Sequence, residues 1–64
     1  MTLDKVRKAL DLHSVRYIDN GDSLEAESAY DMIGHVYSDT ITVDSDGFTT
    51  INGKRASLRE WLGY

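Results

Sequence analysis

A chain of 64 residues with a formal net charge of −4 and 41% hydrophobic content has room for one domain, 1–64. It is too apolar for a disordered tail, and with no cysteine it has neither a disulfide nor a thiolate zinc site. It is also too short to enclose a water-free pocket with a full catalytic constellation, and its total stability should be only about 3–10 kcal/mol.

Thr2 is placed to cap a first helix, with Asp4 in the opening turn where a negative charge suits the helix dipole. Leu3, Val6, Ala9, Leu10 and His13 recur at helical spacing, which predicts a helix over Leu3–Leu12 with one apolar face. The β-branched and aromatic run Ser14–Asp19 reads as a short strand that ends at the turn pair Asn20-Gly21. The following segment admits two readings. Leu24, Ala26, Ser28 and Tyr30 alternate as in a strand, whereas Asp22 and Glu25 have the spacing of a capping box. The helix-forming composition of Leu24 to Ala29 and the stop at Gly34 favour a helix over Ser23–Ile33.

Two alternating runs, Thr40–Val43 and Phe48–Ile51, flank Asp44-Ser45-Asp46-Gly47 and predict a β-hairpin around a type I turn with Gly47 left-handed. In that register Val43 lies opposite Phe48, both facing the core. Asn52-Gly53 marks a further turn that can lead Lys54–Ala56 back as another strand. Ser57 and Glu60 make a capping box for a short last helix that Trp61 and Leu62 anchor and Gly63 ends.

The fold class is therefore α+β. The elements run helix, strand, helix, β-hairpin, short helix, with an antiparallel sheet packed on the helices. The expected core is Leu3, Val6, Leu10, Val15, Ile18, Leu24, Ile33, Val36, Ile41, Val43, Phe48, Ile51, Leu58, Trp61 and Leu62.

Charge is unevenly placed along the chain. Between Tyr17 and Gly53 stand Asp19, Asp22, Glu25, Glu27, Asp31, Asp39, Asp44 and Asp46, with no Lys or Arg among them. The segments on either side each carry a net +2. If the eight carboxylates converge, they form a field that attracts a basic partner, to which Tyr30 and Tyr37 add contact area. The opposing reading is a solvated acidic surface built from ordinary turn residues, with the terminal bases folded back onto it.

Other chemistry is sparse. His13 falls on the apolar face of the first helix. His35 has Asp31 and Asp39 four residues to either side, a metal-ligand spacing that Gly34 interrupts. The run Asp44–Gly47 lacks the first and last acidic ligands of a calcium loop, and the single glycines form no phosphate cradle. No metal or cofactor is expected. Lys5, Arg7, Lys8 and Arg16 offer a small basic strip whose weak, salt-sensitive attraction for nucleic acid is opposed by the acidic middle.

In size, acidity and lack of catalytic residues the chain resembles the small accessory proteins of phages and mobile elements, including anti-CRISPR inhibitors. That resemblance implies a non-enzymatic inhibitor that presents acids to a nucleic-acid-binding groove on a host protein. The expected function is a protein-binding module of this kind, with a basic protein surface as partner. A nucleic-acid-binding regulator that uses the first helix, and a domain that self-associates through a hairpin edge, are the alternatives. The absence of cysteine, of a bilayer-length apolar run and of a signal-peptide apolar region favours the cytoplasm.

Overall fold

In the computed structural model, which describes residues 1–30, 32–34 and 36–63, the first helix forms over the expected span. Helix α1 runs Leu3–Leu12, and the Thr2 side chain accepts a hydrogen bond from the Lys5 N–H. Its end is a Schellman closure with serine in the usual glycine place. Ser14 sits at φ 57°, Ser14 N–H donates to Asp11 O, and Val15 N–H donates to Leu10 O. This reversal feeds β1, Tyr17–Asp19.

The segment expected to be a second helix, Ser23–Ile33, is instead strand β2, Leu24–Tyr30. Its local preference is overridden because both of its edges find partners. On one side Ile18 pairs with Glu25, and on the other Leu24 pairs with Ile41 of β3, Val36–Val43. As a strand, β2 places Leu24 and Ala26, both fully buried, two residues apart on one face. A bulge at Ser28 shifts the β2–β3 register, and the Ser28 hydroxyl donates to Tyr37 O.

Strands β4, Thr49–Ile51, and β5, Lys54–Arg55, complete a five-stranded antiparallel sheet in the order β1-β2-β3-β4-β5. The β3–β4 hairpin has Gly47 left-handed as expected, but its register is shifted by one residue. Val43 pairs with Thr49 rather than Phe48. The Asp44 carboxylate accepts from the N–H groups of Asp46 and Phe48, and Asp44 N–H donates to Phe48 O, so Asp44 closes the turn just beyond the ladder. Phe48 is thereby turned out of the core and is 52% exposed, with the Arg55 guanidinium 4.3 Å from its ring centre. Phe48→Ala should therefore cost at most about 1 kcal/mol in a urea melt, well below the roughly 3–5 kcal/mol of a buried phenylalanine.

Helix α2, Leu58–Leu62, opens on the Ser57 hydroxyl and closes at left-handed Gly63, φ 94°. The core joins both helices to one face of the sheet: Val6 and Leu10 from α1, Leu24, Ala26 and Ile41 from the strands, and Leu58 from α2. Trp61, Leu62, Val15 and Ile51 pack around it, half-buried. Ile18, Ile33 and Val36, expected inside, are exposed. By strand parity Ile18 lies on the face opposite Leu24, and Ile33 lies beyond the end of β2.

Candidate functional site

Parity along the strands assigns the uncovered face of the sheet. Ile18, Glu25 and Thr40 form one cross-strand row, and Thr42, Thr50 and Arg55 form another. The hydroxyls of Thr42 and Thr50 are hydrogen-bonded across the β3–β4 pair. Beside the first row, Arg16, Ile18, Glu25, Glu27, Val36 and Ser38 line a shallow depression of about 240 Å³. Among the described residues no helix packs over this row, and Ile18 is 61% exposed there.

The seven of these acids that lie among the described residues do not converge on this face. Asp19, at the end of β1, is gripped by Arg7, whose Nε donates to it at 2.7 Å and whose Nη2 donates at 3.1 Å. Arg7 also donates to Asp4 at 2.5 Å and to Gly21 O at 2.8 Å. The guanidinium and the Gly21 N–H together hold the Asp19 carboxyl below its ordinary pKa, and Asp19 in turn raises that of Arg7. One member of the basic strip is thus committed within the domain.

Asp44 and Asp46 lie in the β3–β4 turn at the same end of the sheet as Asp19, where Arg55 approaches them at 3.7 and 3.6 Å. Asp22 lines a groove with Thr2, Leu3 and the Asp44–Gly47 turn. The cationic flanking segments therefore do fold back, through Arg7 and Arg55, onto three of the acids. Glu25 is exposed on the open face and Glu27 is half-buried. Tyr37 is 56% exposed on the part of β3 that runs past β4. Tyr30 ends β2, where its backbone pairs with Val36. Asp31 lies outside the described residues, as does His35, so the His35–Asp31–Asp39 spacing finds no test. Among the described residues no three His, Asp or Glu side chains are grouped to hold a metal ion, and no helix is long and apolar enough to cross a membrane.

Asp39 has a structural position that its sequence context does not reveal. It shares the helix-covered face with its cross-strand partner Ala26, and it accepts from Trp61 Nε1 at 2.7 Å and from Asn52 Nδ2 at 2.9 Å. These two donors, Trp61 first, hold its carboxyl below the ordinary carboxylate range. Nearby on the helix side, His13, Val15, Glu27, Ser28, Trp61 and Leu62 line a second small cavity of about 240 Å³. Burial, with the Asp11 carboxylate beside it, raises the Tyr17 hydroxyl above its ordinary pKa.

Comparison of the chain with known protein families, with curated proteins and with solved structures yields no match.

Proposed function

We propose that this domain is a non-enzymatic protein-binding module that meets a basic partner with the uncovered face of its sheet. The observation that carries this reading is the segregation of the two faces. Both helices and the core occupy one side, and the other offers Glu25, Glu27, Ser38 and Thr40 around exposed Ile18 and Val36. Such a surface combines a central apolar contact with a polar rim. Among the described residues Glu25 and Asp22 have no ion pair, so these carboxylates remain able to meet lysine or arginine from outside. Asp19 and Asp39 are engaged within the domain and contribute little to such contact. In its narrower form the module is a cytoplasmic inhibitor of the anti-CRISPR kind, whose carboxylates stand in for phosphates on a nucleic-acid-binding protein.

The test uses a defined probe, a peptide with Lys or Arg alternating with Val or Ile, titrated into labelled protein and followed by amide chemical shifts. Shifts should centre on Ile18, Glu25, Val36 and Ser38 and weaken steeply with salt. The double change Glu25→Lys with Glu27→Lys should weaken binding at least about tenfold, since each lost charge contact is worth on the order of 1 kcal/mol. Shifts centred on Lys5 and Lys8 of α1, or an affinity indifferent to the double reversal, would refute the proposal.

A further inference from the structure

Asn52 occupies the centre of a hydrogen-bonded chain that ties three parts of the fold together. Its Oδ1 accepts from the Thr40 N–H at 3.0 Å, and its Nδ2 donates to Asp39 Oδ1 at 2.9 Å. The other Asp39 oxygen receives the Trp61 indole N–H of α2. With Gly53, Asn52 forms the two-residue turn between β4 and β5, with φ 54° and 82° at the two positions.

We propose that Asn52 is a deamidation site, and that its conversion uncouples α2 from the sheet. The Gly53 backbone nitrogen attacks Cγ of Asn52, the Cγ–Nδ2 bond breaks, and Nδ2 leaves as ammonia. Water then opens the cyclic imide to aspartate or isoaspartate. One water is consumed, one ammonia is released, and no electrons are exchanged. Glycine after asparagine removes the Cβ that would hinder the attack.

The fold separates the two Asn-Gly pairs of the chain. At Asn20-Gly21 the attacking nitrogen is engaged, because Gly21 N–H donates to Asp19 Oδ1 at 2.9 Å, and the carboxylate opposes loss of its proton. The Gly53 N–H has no such anchor among the described residues. What restrains Asn52 is its own carboxamide pairing. Those bonds run to β3, so the restraint lapses whenever the exposed β4–β5 turn opens away from β3. Afterwards the pairing cannot re-form. A carboxylate at position 52 has no proton to give Asp39 and faces it as a like charge.

The experiment ages the full chain at mildly alkaline pH and body temperature, following mass, peptide map and the fluorescence of Trp61, the single tryptophan. Conversion should appear at position 52 before position 20, with a shift in Trp61 emission that the Asn52→Asp variant reproduces. That variant should melt about 5–10 °C below the parent. Adding Asp39→Asn should recover most of the loss, and this double variant still reports if Asn52→Asp alone does not fold. The proposal is overturned by earlier conversion at Asn20, by no conversion at either site, by unchanged Trp61 emission after conversion, or by no recovery in the double variant.

Discussion

Leu24→Ala is expected to lower the stability of the domain by about 2–5 kcal/mol, a large part of the roughly 3–10 kcal/mol available to a chain of this length. Leu24 is fully buried on β2, between β1 and β3, and it joins α1 to the sheet. The core it belongs to has only six buried apolar members among the described residues, so little remains to collapse into the gap. In a thermal melt a loss near 3 kcal/mol reads as a midpoint lowered by roughly 12–24 °C. Ile18→Ala removes an aliphatic side chain from the neighbouring strand on the uncovered face, and its cost should stay within about 0.5 kcal/mol. A Leu24→Ala midpoint less than about 5 °C below the parent, or an Ile18→Ala effect equal to it, would mean that the core lies elsewhere.

Acid should release the C-terminal helix. Five residues make no stable helix alone, so α2 depends on Leu58 in the core and on the Trp61–Asp39 bond. Asp39 titrates below its ordinary range in the folded state. A depressed carboxyl gives stability that is whole above the unfolded value and disappears as pH falls through the folded one. The Asp39 contribution is therefore intact above about pH 4 and decays below it. Tryptophan emission should change in that acid window. Trp61→Phe, which removes the donor, should cost about 1.5–3 kcal/mol, as for hydrogen bonds to charged groups. Asp39→Asn should flatten the acid response of Trp61 emission. The same acid midpoint in Asp39→Asn as in the parent would assign the transition to another carboxyl, with Asp19 under Arg7 the next to examine.

Elements that depend on neighbours within a few residues are readable from the chain. Thr2 and Ser57 cap helices as their spacing indicates, and Gly47 and Gly63 take left-handed conformations at the expected turns. The segment from Leu24 to Tyr30 is different. Its residues favour a helix, and the alternation of Leu24 and Ala26 decides the outcome only once β1 and β3 exist to pair with it. The hairpin register turned on one side chain. Asp44 captures two turn amides, which moves Phe48 to the opposite face.

The expected acidic cluster was beyond local reading for a related reason. Arg7 meets Asp19 across 12 positions, and Trp61 meets Asp39 across 22. No spacing rule links such pairs. They become neighbours only after the sheet has formed, and they take up carboxylates that look unpaired along the chain. What survives of the candidate surface, Glu25 with Ile18 and Thr40, follows from strand parity, which the helix assignment had concealed.

The strand order has a kinetic corollary. Each strand lies beside the one that immediately precedes it in the chain, so no pairing has to wait for a distant segment to arrive. The sheet can grow as a zipper from any of its hairpins, each step closing a short loop at small entropic cost. Such a topology belongs with the quicker β-containing folders, because parallel crossovers and Greek-key returns, the slow steps of larger sheets, do not arise in it.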